Sequence, residues 1–388
     1  MRMADNSSRL SRRSVLRATG GAVAGLAATG FAAADPDDLV EVNVGFANQT
    51  GRAKAVDAAT EVVREFAFDA MTIRLPKKAV SALEHNPNVR YVEENGEMHA
   101  LAQTLPWGID RVDAEVAHAN GETGSGADIA IIDTGIDSNH PDLQANVGTG
   151  NAIVECKGNP NKTCRQPWDD DNGHGTHCAG IADGIDNTEV IVGVSTQATL
   201  HAVKVLDKQG SGSFSDIAAG IQWTADQGYD VGSMSLGASS GSQTIKDACQ
   251  YAYDKGVLLV AAAGNSGPCT DCVGYPAAYS TVMAVSSTAS DDSLSDFSST
   301  GPEVEIAAPG SNVYSTYYGG GYDTLSGTSM ACPHVAGGGA QLMANGYTNA
   351  EARDRLTGTA EDLGLASNEQ GSGLLDVAAA LGLDSSDD

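Results

Sequence analysis

Asp128-Ile-Ala-Ile-Ile-Asp133 is a short apolar run bounded by acids and followed directly by Thr134-Gly135. Apolar residues without polar alternation read as a strand buried on both faces, the kind found in parallel sheets. Runs of the same character recur at residues 200–206, 231–236, 257–262 and 282–286. Helical stretches lie among them and beyond, at residues 176–184, 214–225, 242–254 and 328–343. Strands alternating with helices predict an α/β fold, a parallel sheet with helices on both faces. Functional residues in such sheets gather at the carboxyl ends of the strands. Asp133 stands at such an end.

Upstream the rhythm differs. Val40-Glu-Val-Asn-Val44 alternates like a strand, residues 53–66 have helical apolar spacing, and residues 70–75 are strand-like again. Pro76 opens a second helix running to about His85, and Val89-Arg-Tyr-Val92 adds another strand. This mixture predicts a small α+β domain of the split-βαβ, ferredoxin-like kind over residues 35–101. Before it, Ser11-Arg-Arg-Ser-Val-Leu-Arg17 precedes a mildly apolar stretch ending in Ala32-Ala-Ala34. Paired arginines, an apolar segment and a small-residue cleavage pattern resemble a twin-arginine export signal over residues 1–34. The apolar stretch is too short and too rich in alanine and glycine to span a bilayer. The expected organisation is therefore signal 1–34, small domain 35–101 and main domain 102–388.

The chain carries 22 basic against 50 acidic side chains, a net charge of −28. Nucleic acid and anionic membranes would be repelled, so neither is an expected partner. A hydrophobic fraction of 41% supports a real core despite that charge. Nearly all the excess lies in residues 102–388, with 10 basic and 37 acidic side chains. Such a surface is expected to suit concentrated salt, where screening removes self-repulsion. Of seven cysteines, Cys156 and Cys164 bracket a Gly/Asn/Pro loop and are candidate partners. Cys269-Thr-Asp-Cys272 reads as a tight bridge, a redox pair or half a zinc site. The odd count leaves at least one thiol unpaired.

Three motifs carry chemistry. Asp133 ends its strand; His174 sits in Asn172-Gly-His-Gly-Thr-His177; Ser329 sits in Ser326-Gly-Thr-Ser-Met-Ala-Cys-Pro-His334, at the start of a helix. Singly, each has a plainer explanation: a turn former, half of a His174/His177 metal pair, a helix cap. As a set, an acid, an imidazole and a hydroxyl form the arrangement that makes a weak alcohol nucleophilic at neutral pH.

Together these motifs resemble the subtilisin-like serine proteases, with Asp133, His174 and Ser329 in that family's chain order. The resemblance spans about residues 102–380. Acidity and the export signal point further, to halolysin-type extracellular proteases of haloarchaea. The likeness implies a secreted endopeptidase acting on proteins and peptides, with Asp133, His174 and Ser329 catalytic and Asn265 in the oxyanion hole. It implies substrate-binding edges at Ser235, Leu236, Gly237 and at Ala262, Ala263, Gly264, with broad specificity. Residues 35–101 would be a propeptide that assists folding and inhibits the cleft, removed by self-cleavage after Leu101. That junction suggests a large apolar residue before the scissile bond. A structural Ca²⁺ site would draw on Gln103, Asp142, Ile185, Asn187, Glu189 and Ile191, and the product would be a monomer. Asp169-Asp-Asp171 reads as another cation contact or, by preference, a solvated loop. Cys178 is expected to be a buried free thiol, and Ser233 stands where the family usually has asparagine.

Overall fold

The computed structural model describes residues 39–95, 103–158 and 164–385. The signal segment and the junction at Leu101 and Ala102 lie outside the described residues. The chain divides into two compact units between residues 99 and 100.

In the first unit the chain runs β1 (Leu39–Phe46), α1 (Gln49–Ala58), β2 (Glu61–Glu65), β3 (Ala70–Pro76), α2 (Lys77–Glu84) and β4 (Val89–Glu94). The antiparallel sheet has the order β2-β3-β1-β4, the expected split-βαβ arrangement. Val42 and Val44 of β1 and Met71, Ile73 and Leu75 of β3 meet Ala55, Val80 and Leu83 from the helices. Asn48 caps α1 by accepting from the Gly51 N–H at 3.1 Å. One expectation fails here. The helix expected through residue 66 stops at Ala58, because Ala59 is extended and residues 61–65 pair with β3 instead.

The second unit begins with the short helices α3 (Trp107–Arg111) and α4 (Ala114–Ala119). There follow β5 (Asp128–Asp133), β6 (Asn151–Ala152), α5 (His174–Asp183), β7 (Thr199–Lys204), α6 (Phe214–Gln227), β8 (Val231–Met234), α7 (Gln243–Asp254) and β9 (Leu258–Ala262). The chain continues through β10 (Met283–Thr288), β11 (Val304–Pro309), β12 (Val313–Tyr317), β13 (Gly321–Leu325) and α8 (Thr328–Ala344). It closes with α9 (Asn349–Gly358), α10 (Ser367–Gln370) and α11 (Val377–Leu381).

Seven strands form one sheet in the order β11-β10-β9-β8-β5-β7-β6, and every pairing is parallel. Alternate residues feed two separate cores. Ile129 and Ile131 of β5, with Leu258, Val260 and Ala262 of β9, pack beneath α5 and α8. Ala130, Ile132, Leu259 and Ala261 point the other way, against Ile217, Ile221, Ile245 and Cys249 of α6 and α7. Burial on both faces explains the unbroken apolar runs. Strand order reverses at β5, between β8 and β7, so the crevice beyond their carboxyl ends is the place for a site. Disulfides join Cys156 to Cys164 and Cys269 to Cys272, while Cys178, Cys249 and Cys332 are free and buried. No helix among the described residues is long and apolar enough to cross a membrane.

Candidate active site

The sheet's reversal point carries the three residues singled out by their motifs. Asp133 is the last residue of β5 and is fully buried. His174 opens α5, and its Nδ1 lies 2.9 Å and 3.0 Å from the two Asp133 carboxylate oxygens. Two glycines allow this approach. Gly173 sits at φ +113, and a Cβ on Gly175 would lie 2.2 Å from the Gly135 carbonyl oxygen. Burial pulls the His174 imidazolium down, but the charge and hydrogen bonds of Asp133 outweigh it and hold the pKa above the usual 6.5. A base must be neutral to accept a proton. The acid limb of kcat/KM is therefore expected to have its midpoint above 6.5, with activity present above it and lost below. A midpoint at or below 6.5, measured on a peptide anilide, would show that the Asp133 charge is not felt.

The surrounding loop corrects the expectation for Asp169-Asp-Asp171, which is buried rather than solvated. Asp170 Oδ1 accepts from Thr134 Oγ1, Asn172 N–H and Gly173 N–H, each at 2.9 Å. Its Oδ2 accepts from the N–H and hydroxyl of Thr176 at 2.9 and 2.6 Å. One carboxylate thus clamps the turn after Asp133 to the first turn of α5. Asp171 Oδ1 accepts from Lys204 Nζ at 2.8 Å, and that wholly buried ammonium also donates to the carbonyls of Thr134 and Leu206. Lys204 lies in register with Asp133 across β5 and β7. Sequence reasoning missed both residues, since neither lies in a motif and each acts only through contacts made by folding.

Ser329 is the second residue of α8, where the first-turn N–H groups lack helical partners. Pro333, four residues on, has no N–H to offer the Ser329 carbonyl. That carbonyl instead accepts from Ser235 Oγ at 2.8 Å and from Cys178 Sγ at 3.4 Å. Cys178 is thus a structural donor, and burial raises its thiol well above the ordinary range. Ser329 Oγ donates to the Ser235 carbonyl at 3.2 Å rather than to the imidazole. To pass its proton to His174 Nε2 the hydroxyl has to leave that carbonyl and turn towards the imidazole. Asn265 follows β9, and its Oδ1 accepts from the N–H and hydroxyl of Thr328 at 2.9 and 3.0 Å. This leaves the amide NH₂ as a donor beside Ser329.

The alternative His174/His177 metal pair gains no third ligand: no group of three ligating side chains found among the described residues includes His177. His177 Nε2 is bonded to the Asp323 carbonyl at 3.1 Å, and burial lowers its pKa to about 4. Asp133, His174 and Cys178 do converge, with one ligand atom from each within 4.8 Å of the others. Yet His174 Nδ1 is engaged by Asp133 and the thiol by the Ser329 carbonyl, so these groups serve one another.

Two clefts share the segment Ser235, Leu236, Gly237. One, about 500 Å³, is lined by His174, and the other, about 560 Å³, by Ser329, Asn265, Ala262 and Gly264. Ala263 lines neither. It is fully buried, its N–H donates to Val285 and its carbonyl accepts from Gly274, so it shapes the wall from behind. Ser233, in turn, places its hydroxyl 3.6 Å from Cys332 Sγ.

The residues expected to hold calcium come together elsewhere. Gln103 Nε2 lies 2.7 Å from the Ile185 carbonyl and 2.5 Å from that of Ile191, and its Oε1 accepts from Asn187 N–H at 3.2 Å. Asp142 Oδ2 accepts from Ile191 N–H and Tyr322 OH, whereas its Oδ1 is buried with no hydrogen-bond partner. Asn187 Oδ1 accepts from Glu189 N–H at 2.6 Å, which orders the same loop. A buried carboxylate oxygen without a hydrogen-bond partner is what a hard divalent cation satisfies.

The chain is also similar in sequence to known proteins. The sequence model described as the subtilase family matches residues 124–373. The chain is 43% identical over 323 residues to "Alkaline protease" of Alkalihalobacillus alcalophilus, covering 82% of this chain and 81% of that protein. It is 42% identical over 337 residues to "Subtilisin E" of Bacillus subtilis (strain 168), covering 84% and 86%. Likewise "Thermostable alkaline protease" of Halalkalibacterium halodurans is 43% identical over 307 residues, covering 78% and 81%.

Proposed function

The chain belongs to the subtilase family and is a serine-type endopeptidase, and we propose that Asp133, His174 and Ser329 perform its chemistry through an acyl-enzyme. His174 Nε2 takes the Ser329 proton as the oxygen attacks the peptide carbonyl, then passes it to the leaving amine. Asp133 holds the imidazole by Nδ1 and stabilises the imidazolium. The Asn265 NH₂ and the Ser329 N–H receive the negative charge of the tetrahedral intermediate. The observation that carries this reading is the sealed Asp133 carboxylate bonded to His174 Nδ1. A serine-directed covalent inhibitor should label Ser329 and abolish hydrolysis; labelling elsewhere, or none, would overturn it.

We infer that an extended peptide lies between the segment Ser235, Leu236, Gly237 and the edge formed by Ala262 and Gly264, held mainly through main-chain hydrogen bonds. Specificity is then broad, with a large apolar residue preferred before the scissile bond. Residues 35–101 act as the propeptide, folding assistant and intramolecular inhibitor, and residues 1–34 direct export by the twin-arginine route. The mature enzyme works as a secreted monomer with no membrane attachment. Its halolysin-like adaptation to high salt rests on charge, not on the likenesses to named relatives.

Gln103, Asp142, Ile185, Asn187, Glu189 and Ile191 would hold a structural Ca²⁺, which would supply charge for the Asp142 carboxylate and tie the start of the domain to the loop after α5. Val190, where the family usually has glycine, is not among the residues of positive φ, so a β-branched side chain fits the loop. A ligand bound only by the folded state, at a hundred times its Kd, adds about 2.7 kcal/mol. Chelation at fixed salt is therefore expected to shorten the thermal half-life of the mature enzyme, and re-addition of Ca²⁺ to restore it. Equal half-lives with and without chelator would remove the site.

A further inference from the structure

The cleft that holds Ser329 and Asn265 has an acid in its wall. Asp271 lines it, on the loop that leads from Asn265 back to Gly274. The loop is pinned at several points. Cys269 and Cys272 are bridged on either side of Asp271. The Cys272 N–H donates to the Thr300 carbonyl at 2.8 Å, and the Thr300 hydroxyl returns a bond to the Cys269 carbonyl at 2.5 Å. Further along, the Gly274 N–H donates to the Ala263 carbonyl at 2.8 Å. The backbone that carries the exposed Asp271 side chain is thus held at the cleft, and little loop entropy remains to be lost when a ligand meets it.

That carboxylate is uncompensated. Among the described residues Asp271 has no ion-pair or hydrogen-bond partner, and no lysine or arginine lines the cleft. A second acid stands nearby. Glu303 brings its carboxylate to Gly301, where the Val273 side chain and the Asp271 Cα also converge. The rest of the wall mixes apolar side chains, Leu236, Ala262 and Val273, with small hydroxyls such as Ser239, Ser266 and Ser299. Apolar side chains and an unpaired carboxylate in one wall match a side chain with an apolar stem and a cationic head.

We propose that Asp271 is a specificity-determining residue that lets this cleft take lysine or arginine before the scissile bond, beside the large apolar residues its walls accept. The stem of the basic residue packs on Leu236 and Val273, and the ammonium or guanidinium reaches the Asp271 carboxylate. This rests on the proteolytic reading above, with the Ser329 cleft as the pocket for that residue.

The test uses the mature enzyme at one fixed salt and calcium concentration. It compares peptide anilides that differ only at the final residue, being Leu, Phe, Lys or Arg. Asp271→Asn is expected to lower kcat/KM for the Lys and Arg substrates about fivefold, the scale of one partly exposed ion pair. The loss should appear mainly in KM, with the Leu and Phe substrates changed less than about twofold. Asp271→Glu, which keeps the charge, should retain most of the activity on the basic substrates. Parallel changes on all four substrates, or none on the basic pair, would overturn the assignment. The two readings fail differently. Were the Ser329 mechanism wrong, an inhibitor of serine enzymes would leave hydrolysis of the Leu substrate intact; were only Asp271 wrong, that substrate would stay inhibitor-sensitive while the basic preference ignored the substitution.

Discussion

Ser329→Ala is expected to lower peptide hydrolysis by about 10⁶-fold and to leave the chain uncut at Leu101–Ala102. The magnitude is that of subtilisin's own serine, carried over from a relative rather than derived from this structure. What the structure adds is a reason to expect a chemical loss and not a folding one. The hydroxyl that disappears makes a hydrogen bond to the Ser235 carbonyl at 3.2 Å. Such a bond contributes about 1 kcal/mol. The more important contact, from Ser235 Oγ to the Ser329 carbonyl, survives because it uses the backbone. Thermal unfolding of the variant should therefore stay close to that of an equally unprocessed wild-type chain. Adding a trace of active enzyme should cut the variant at the junction, showing that the bond is accessible and only the nucleophile is missing. Normal maturation of Ser329→Ala in a protease-free preparation would overturn self-processing. Retained hydrolysis would overturn the mechanism itself.

Much of this was legible from residues alone, for a physical reason. Strands buried on both faces cannot hide their character, so β5, β7, β8, β9 and β10 all stand out as apolar runs. The elements missed are those where burial is partial or punctuated. β11 reads Val-Glu-Ile-Ala-Ala-Pro, with an acid and a proline breaking the run. β12 and β13 form a hairpin that lies over α5, bonding Thr316 Oγ1 to the Thr176 carbonyl and Ser315 Oγ to that of His177. Ser315 and Thr316 of β12 reach that helix while Asp323 and Thr324 of β13 are exposed, so no run of apolar residues marks the hairpin. β2 has every side chain exposed and shows no period of two, which let the preceding helix be extended through it.

The candidate site divides along the same line. Asp133, His174 and Ser329 sit in local sequence contexts that chemistry makes distinctive. Asp170, Lys204 and the Ser235 hydroxyl do not. Asp170 belongs to a run of three acids, which by composition belongs in solvent; only folding reveals five donors converging on it. Pro333 was visible in its motif, but the freed Ser329 carbonyl and the two side chains that satisfy it were not. Sequence locates the candidate reacting groups, and the fold supplies what holds them still.

In dilute buffer the mature domain is expected to lose both structure and activity, and in molar NaCl or KCl to keep both. Residues 102–388 contain only six lysines and four arginines against 37 acids. The structure reduces even that small complement. Lys204 is fully buried against Asp171. Arg111 is engaged by Asp292 and Glu361, and Arg353 by Glu305, so these cations are already committed to particular acids. Few remain to offset the other carboxylates on the surface. At about 0.1 M salt the Debye length is roughly 10 Å, so neighbouring surface carboxylates still repel, whereas at 1 M it is roughly 3 Å. Repulsion that favours an expanded chain is thus present in the first condition and mostly screened in the second. Salts excluded from the protein surface also strengthen apolar burial, in the same direction. If the acids served only to attract basic substrates, activity would instead fall as salt rises while the fold stayed constant. Circular dichroism and hydrolysis of one neutral peptide, followed together from 0.1 to 4 M salt with calcium held constant, separate the two. Structure and activity rising together support the high-salt reading. A full complement of both at the dilute end would overturn it.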